Sequence, residues 1–209
     1  MKVTEAIQSR LSINGYAPDA PLDRSIIEEI ISLACEAPSS FNIQHWRFVV
    51  VSDPEAKSRL QLAAFNQPKV RDASATVIVL GDLLAHESLN QTLAPSVDAG
   101  FLPEAVRDQF VTMANGMYSN AAMARDEAIR SGSLAAMTLM LAAAERGLAT
   151  GPMIGFDPDQ VRASFSIPDR YLPVMLITIG TANDLNWPRK PRLPLVDVLV
   201  WESGEQLPD

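Results

Sequence analysis

The chain has 209 residues, the length of one globular domain, with 47% apolar and 20% charged residues, as is typical of a soluble protein. Its net charge of −8 argues against binding to nucleic acid or to an anionic membrane surface. The single cysteine, Cys35, excludes an intrachain disulfide and a cysteine-based zinc site. No apolar stretch approaches the ~20 residues of a membrane span, and the N-terminus lacks a signal core. We therefore expect a cytoplasmic protein that forms one domain over residues 1–209.

Hydrophobic periodicity and helix caps predict a mixture of helices and strands without strict βαβ alternation. The predicted helices cover Thr4–Arg10, the segment between Asp23 and Pro38, Pro54–Phe65, Pro103–Ala114, Asn120–Arg146 and a short segment from Pro158. The predicted strands cover Trp46–Val51, Thr76–Leu80 and Pro173–Ile179. This order of elements indicates an α+β fold.

Two features indicate that a second copy of the chain covers part of this one. The segment Leu134–Ala144 in the long helix is apolar nearly all round, which is typical of a helix buried on every side. After Gly180 comes a proline-rich tail of 29 residues that ends in the apolar, strand-like segment Val196–Trp201. Such a tail is long for a compact domain, so we predict that residues 181–209 form an arm that crosses to a partner subunit.

Familiar catalytic motifs are missing from the sequence. It contains no G-x-G-x-x-G fingerprint after a strand, no Walker A pattern, no H-E-x-x-H and no G-x-S-x-G. Two histidines and one cysteine argue against a histidine-rich metal site and supply little for acid–base or nucleophilic catalysis. Either the protein is not an enzyme, or a bound cofactor carries the chemistry.

Four polar clusters are candidates for binding a ligand, although each alone is equally compatible with a solvated loop or surface. Arg10–Asn14 offers a guanidinium fork suited to phosphate together with hydrogen-bonding side chains. Ala37–Trp46 is rich in small and amide residues that could bond a flat heterocycle. Phe65–Lys69 places an amide and an ammonium three residues apart. The fourth cluster pairs the Gly/Pro segment Gly151–Phe156 with three cations in Arg189–Arg192.

Taken together, these segments occur in a characteristic order. The chain reads Arg-x-Ser, then Ala-Pro-Ser-Ser-x-Asn-x-Gln-x-Trp, Phe-Asn-x-x-Lys, Pro-x-x-Gly-Phe and finally Lys-x-Arg-x-Pro-Leu. This combination resembles the FMN-dependent nitroreductase family over residues 3–202. The resemblance implies a central mixed, mainly antiparallel sheet surrounded by helices, and an intertwined homodimer with two FMN molecules at the subunit interface.

The resemblance also implies a role for each matching residue. The family's positions that hold the FMN phosphate and ribityl chain match Arg10, Ser12, Lys190 and Arg192. The positions that bond the pyrimidine edge of the flavin match Asn66 and Lys69. The loop supplied by the partner chain matches Pro38, Ser39, Ser40 and Asn42. The strand-end loop, whose backbone N–H approaches flavin N5, matches Pro152, Ile154 and Gly155.

The implied activity is hydride transfer from NAD(P)H through flavin N5 to a nitroaromatic, quinone or similar acceptor by a ping-pong mechanism. The flavin itself carries the hydride, so no catalytic side chain and no metal are expected. NAD(P)H would bind only transiently, which accounts for the missing dinucleotide fingerprint. The alternatives are another flavin activity on the same scaffold (enone or quinone reduction, dehalogenation, flavin fragmentation), a non-catalytic flavin-binding dimer, and a helical interaction protein without a ligand.

The sequence departs from the family pattern at two positions. Asn14 stands where the family usually has Lys or Arg, so we also count it among the cofactor-binding candidates, and His45 stands where the family commonly has Pro. Specificity is expected from the variable stretch between residues 83 and 118. The candidate residues for a pocket lid are Phe101, Phe110, Met113 and Met117, although core packing is an equally open role for each.

Overall fold

The structure is a computed structural model that describes residues 1–17 and 20–207; the last two residues of the predicted arm, 208 and 209, lie outside the described residues. The helices are α1 (Val3–Ser9), α2 (Arg24–Ala34), α3 (Pro54–Ala63), α4 (Pro68–Asp72), α5 (Leu89–Asp98), α6 (Glu104–Tyr118), α7 (Ala121–Glu145) and α8 (Pro158–Ser164). The strands are β1 (Trp46–Val51), β2 (Ala75–Asp82), β3 (Ala149–Met153) and β4 (Tyr171–Gly180). This set of elements confirms the α+β prediction.

The four strands form one antiparallel sheet in the order β1-β2-β4-β3. Within the described residues, the parallel pairing of the predicted mixed sheet is a single bridge between Ser12 and Thr150. Every residue of the central strand β2 is buried, as its nearly all-apolar sequence predicts. The sheet therefore forms the middle layer of the molecule, with β1 and β3 at its two edges.

Helices cover both faces of the sheet. Successive side chains of β2 point to opposite faces, and apolar side chains lie on both faces. Val77 and Val79 point to one face and pack with α2 and α7, while Ile78 and Leu80 point to the other and pack with α3 and α8. This three-layer arrangement confirms the prediction of a central sheet surrounded by helices.

The long helix α7 begins and ends where its capping residues predict. The Asn120 side chain accepts hydrogen bonds from the backbone N–H groups of residues 122 and 123, and Gly147 adopts φ 71° just after the C-terminal end. Many of the side chains that face the sheet are alanines, so α7 packs close to it. Its side chains Met123 and Leu134 are exposed in the single chain. The helix was predicted as Asn120–Arg146, within one residue at each end.

Two predictions are wrong, one for the end of a helix and one for the conformation of a segment in the arm. A helix stop was predicted at Asn115-Gly116, but α6 continues to Tyr118, because one interior glycine costs only about 1 kcal/mol and the buried Tyr118 ring packs in the core. The segment Val196–Trp201 was expected to be strand-like. It contains a short 3₁₀ turn at Leu195–Asp197 instead, because no neighbouring strand is available to it within the described chain.

Three short elements, α4, α5 and β3, were not predicted. Pro68 and Pro95 within the two helices and Gly151-Pro152 within the strand all read as loop signals. Pro152 is tolerated because β3 is an edge strand, where a missing backbone N–H leaves no internal ladder bond unmade.

Gly151 allows the 10–14 segment to approach the sheet. A Cβ built there would lie 2.5 Å from both the Ile13 carbonyl oxygen and Thr178 Oγ1, and neither group is the free end of a flexible chain. We therefore expect Gly151→Ala to lower the free energy of unfolding by about 2 kcal/mol through overpacking. Urea denaturation of the purified variant measures the change.

Gly116 provides the matched control, because it lies inside α6 and its Cβ would have no heavy atom within 4 Å apart from its chain neighbours and the backbone of its own helix. Gly116→Ala should raise the free energy of unfolding by about 0.5 to 1 kcal/mol, the helix-propensity difference between the two residues. Equal effects of the two substitutions would show that the close approach at Gly151 is not the constraint described here.

Candidate functional site

A cluster of cations lines a cavity of about 220 Å³ between the end of α1 and the arm. Arg10, Arg189, Lys190 and Arg192 contribute to its wall, and in the described part of the chain none of the four lies within 4 Å of a carboxylate. The Nε atom of Arg10 is buried without a hydrogen-bond partner. Burial, and then the charges of Arg189 and Arg192, lower the pKa of Arg10. A site of this kind suits a multiply charged anion such as a phosphate group.

The beginning of the arm is fixed to the same chain by two polar side chains. Nη1 of Arg189 donates to the carbonyl oxygens of Ile7 (3.1 Å), Gln8 (3.0 Å) and Arg10 (2.8 Å), where helix α1 ends and leaves carbonyls unpaired. Oδ1 of Asn186 accepts from the backbone N–H groups of residues 14 (2.8 Å) and 15 (2.9 Å). Arg189 was noticed in the sequence as one of three cations, but its role in fixing the arm could not be predicted from local spacing.

Lys69 connects the cation cluster to the third candidate segment, Phe65–Lys69. Its Nζ donates to Oδ1 of Asn14 at 3.1 Å, and burial lowers the pKa of the ammonium group. Pro68 occupies the first turn of α4 and places Lys69 one residue into the helix. Asn66 precedes it with φ 57°, in the left-handed region. The residues predicted for the phosphate end and those predicted for the pyrimidine edge are therefore neighbours in the structure.

The segment after β3 joins the same region. The backbone N–H of Ile13 donates to the Thr150 carbonyl at 3.0 Å, and Nε2 of Gln67 donates to the Gly155 carbonyl at 2.7 Å. Ile154, between the strand and Gly155, is 79% exposed. The structure thus brings the residues predicted at 10–14, 66–69 and 152–155 to one edge of the sheet. Gln67 was missed in the sequence, where its partner 88 residues away could not be identified.

The second predicted segment, with Pro38, Ser39, Ser40 and Asn42, lies elsewhere. It leads into β1, whose Trp46 pairs with Gly81, whereas Thr150 is aligned through Ile179 with Ala75 at the opposite end of β2. Six residues along β2 span about 20 Å, and three strand spacings add about 14 Å sideways. Thr150 and Trp46 are therefore about 25 Å apart, which separates the loop before β1 from the phosphate end of the candidate site, where Ser12 bridges to Thr150.

The candidate lid residues lie beside this second segment rather than beside the cations. The rings of Phe110 and Phe41 meet edge to face with centroids 5.6 Å apart, and Phe110 packs against the core cluster around Ile43. Phe101 is 85% exposed, and Met113 and Met117 are also exposed. Core packing is thus the observed role of Phe110 in the single chain, while the other three remain open to solvent.

Metal binding and membrane insertion find no support in the described ranges. Among residues 1–17 and 20–207, no three His, Cys, Asp or Glu residues are grouped so that they could hold a metal ion. In that same part of the chain, no helix is both long enough and apolar enough to cross a bilayer.

Comparison with known proteins gives a consistent assignment. A family model described as "Nitroreductase family" matches residues 7–181. The chain is 37% identical over 202 residues to "Putative NAD(P)H nitroreductase YodC" of Bacillus subtilis, covering 94% of this chain and 97% of that protein. It is 31% identical over 185 residues to the "CLA biosynthesis enone reductase" of Lactiplantibacillus plantarum, covering 86% of this chain and 85% of the relative.

A solved structure agrees with these sequence matches. The crystal structure of a "putative nitroreductase in complex with FMN" from Exiguobacterium sibiricum has a TM-score of 0.89 and 36% identity, covering 97% of this chain and 98% of that one. The resemblance identified in the sequence is confirmed over most of its length. The chain belongs to the nitroreductase family of oxidoreductases.

Proposed function

We propose that the protein binds FMN tightly and uses it to transfer hydride from NAD(P)H to a small-molecule acceptor. The observation that carries this proposal is the buried, unpartnered Nε of Arg10 in a cavity surrounded by Arg189, Lys190 and Arg192. A buried, unpartnered guanidinium Nε among like charges is costly unless an anion binds nearby, and a flavin phosphate brings about two negative charges. The residues present therefore fit the phosphate end of FMN.

Each segment at the β3 edge has a role toward the cofactor. Arg10, Ser12, Lys190 and Arg192 bind the phosphate and ribityl chain. Lys69 and Asn66 bond the pyrimidine edge, where Lys69 stabilises negative charge that develops on reduction. The backbone of Pro152, Ile154 and Gly155 orients the ring. Bound FMN supplies reversible two-electron hydride chemistry that the side chains of this protein do not offer.

A homodimer would complete the site. The separation of about 25 Å between the loop before β1 and Thr150, which bridges to Ser12 at the phosphate end, favours a role for Pro38, Ser39, Ser40 and Asn42 at the ligand of another copy. The arm supports this arrangement because its large apolar side chains are exposed in the single chain, among them Trp187, Leu193, Val196 and Trp201. We propose a single domain whose arm, residues 181–209, is covered by a partner subunit, with Phe101, Met113 and Met117 facing the partner's ligand.

The acceptor is proposed to be a nitroaromatic compound or a quinone, because the relative in Bacillus subtilis carries the name of an NAD(P)H nitroreductase. Reduction of an enone is a second candidate, favoured by the name of the relative in Lactiplantibacillus plantarum. Both reactions would use the same hydride donor and differ in the compound that follows it onto the open face of the ring.

The proposal is tested on the purified protein by visible absorbance and by mass identification of any chromophore released by heat. We expect about one FMN per chain and anaerobic bleaching by NADH or NADPH, followed by reoxidation with a nitroaromatic, a quinone or an enone presented separately. A colourless protein that takes up no added FMN would contradict the proposal. A flavin that binds but is not reduced by either nicotinamide would leave a non-catalytic flavin-binding protein.

Asn14 is expected to keep the reduction potential of the flavin low. Its side chain accepts a hydrogen bond from Lys69 and brings no charge of its own. Asn14→Lys would add a cation beside Lys69 and stabilise the reduced flavin. If the gain is about 1.4 kcal/mol, the two-electron potential rises by about 30 mV. Equilibration with a reference dye measures it.

The control for this prediction is Asn14→Gln, which keeps a neutral amide at the same position. Its potential should equal that of the unmodified protein. A potential for Asn14→Lys at or below that of the unmodified protein would reject the electrostatic explanation.

A further inference from the structure

A chain of buried polar side chains connects the middle of the sheet-covering helix α7 to the loop that precedes β1. Oγ of Ser131 donates to Oε1 of Glu127 at 2.9 Å and lies 3.2 Å from Nδ1 of His45. Glu127 also pairs with Arg130 one turn further along the helix. Ser131 and His45 are almost completely inaccessible to solvent, and Glu127 is buried as well. Nothing in the proposed binding of FMN uses these three side chains.

The hydrogen bonds among His45, Ser131 and Glu127 have a defined direction. The single hydroxyl proton of Ser131 is donated to the Glu127 carboxylate, which only accepts when ionised. Ser131 Oγ must therefore accept from His45, whose Nδ1 carries the hydrogen. Nδ1 is thus the ring nitrogen of His45 that carries a hydrogen, and the rings of His45 and Tyr118 meet edge to face with centroids 5.7 Å apart.

The loop that ends at His45 has an unfavourable backbone conformation. Phe41, Asn42 and Gln44 all have positive φ values, 52°, 57° and 58°. Asparagine tolerates this left-handed region, but phenylalanine and glutamine do not favour it. Several such residues in one short loop persist only where the surrounding structure holds them, and they concentrate at functional sites.

Contacts at both ends hold the loop in this conformation. At its start, Oγ of Ser39 accepts from the backbone N–H of Gln44 at 2.9 Å. At its end, the His45 carbonyl accepts from the backbone N–H of Asp82 in β2 at 2.7 Å, and the His45 ring donates to Ser131 in α7. His45 therefore connects the loop both to the sheet and to the long helix.

We propose that His45, fixed by Ser131 and Glu127, is a positioning residue that keeps residues 39–44 in the geometry in which Ser39, Ser40 and Asn42 meet the FMN of the partner subunit. The ligand part of this inference rests on the proposed function; the holding of the loop does not. His45 stands where the family commonly has a proline. Proline restricts the backbone by its ring, whereas this chain uses a buried hydrogen bond to a helix to the same end.

Ser131→Ala is the most direct test, because it removes one oxygen from the interior of α7 and introduces the residue with the highest helix propensity. Thr138→Ala is the matched control in the same helix, since Oγ1 of Thr138 donates only to the Leu134 carbonyl of its own turn. His45→Leu removes the donor, while His45→Asn places an amide N–H near the position of Nδ1 and should restore the bond.

Two readouts separate the holding of the loop from its effect on the ligand. In the FMN-free protein, hydrogen exchange at the amide of Gln44 should accelerate at least about tenfold in Ser131→Ala and in His45→Leu, but not in Thr138→Ala or in His45→Asn. In titrations with FMN, the same two variants should bind about tenfold more weakly and give an altered visible circular dichroism spectrum of the bound flavin.

The outcomes are distinguishable. Unchanged exchange at Gln44 in Ser131→Ala would overturn the proposal, as would equal losses in His45→Leu and His45→Asn, which would indicate simple packing. Accelerated exchange in a protein that binds no FMN even without substitutions would support the holding of the loop and reject the proposed function. Accelerated exchange with unchanged FMN affinity and spectrum would overturn the assignment of His45 as a positioning residue for the ligand.

Discussion

Arg10→Met should weaken the binding of FMN by about 100-fold while leaving the FMN-free protein folded. Hydrogen bonds to charged groups contribute about 1.5 to 3 kcal/mol each, and the upper end of this range corresponds to about a 100-fold change in the dissociation constant. Arg10 belongs in the upper part because its Nε is already buried and unpartnered, so little solvation is lost when the anion arrives. Fluorescence titration of the FMN-free protein measures the affinity.

The stability of the FMN-free variant should not fall in parallel. Burial and the neighbouring charges of Arg189 and Arg192 lower the pKa of Arg10, which means that its charged form is held unfavourably without an anion. Replacing it with an uncharged side chain of similar length relieves this repulsion and retains part of the packing. A large loss of thermal stability in Arg10→Met would therefore contradict the interpretation of this cavity as an anion-binding site.

Arg24→Met is the control for the loss of one positive charge. Arg24 is exposed on α2, pairs with Glu28 at 2.7 Å and is not among the residues that line the cavity. FMN affinity should be unchanged in this variant. Raising the ionic strength should weaken binding in the unmodified protein more than in Arg10→Met, because one of the attracting charges is missing in the variant. Equal affinities of Arg10→Met and the unmodified protein would reject the phosphate site.

Local sequence signals were sufficient for the elements that form the core. β1 was predicted from Trp46 to Val51, as observed, because three successive valines precede the Asp53-Pro54 start of a helix. The ends of α7 were found because an asparagine cap and a glycine stop are local devices. β3 was missed because its Gly151-Pro152 pair opposes strand formation, and only its pairing with β4 makes it a strand.

The candidate site divides in the same way. Arg10, Lys69 and the arm cations were named as candidates because they are cations in segments that follow a recognisable order. The contacts that fix them were not predicted, since Arg189 reaches carbonyls about 180 residues away in the chain and Gln67 reaches Gly155, 88 residues away. The connection from His45 to α7 spans 86 residues. The chemistry of a side chain can be predicted from the local sequence. Its hydrogen-bond partner cannot, because the topology of the fold determines which distant residue lies beside it.

His45 also gives the protein a specific sensitivity to acid. Burial lowers the pKa of His45 to about 4, outweighing the opposite effect of Glu127 and Asp82, while His86 and Arg47 lower it further. In the unfolded chain the pKa is about 6.5, so the unfolded state binds a proton that the folded state rejects as the pH falls between about 6.5 and 4. Stability is therefore highest above about pH 6.5 and is lost on acidification through this window.

The expected loss is about 2 kcal/mol in the free energy of unfolding between pH 7 and pH 5, and about 3 kcal/mol at pH 4, at about 1.4 kcal/mol for each pKa unit. Urea denaturation of the FMN-free protein at these pH values measures it. Carboxylates near His45, including Glu127 and Asp82, are present in every variant, so the difference between the unmodified protein and His45→Asn isolates the histidine. His45→Asn should lose stability less steeply between pH 6.5 and 5, because an amide binds no proton. Parallel stability curves for the two proteins would mean that His45 is protonated in the folded state without penalty, and that burial does not select its neutral form.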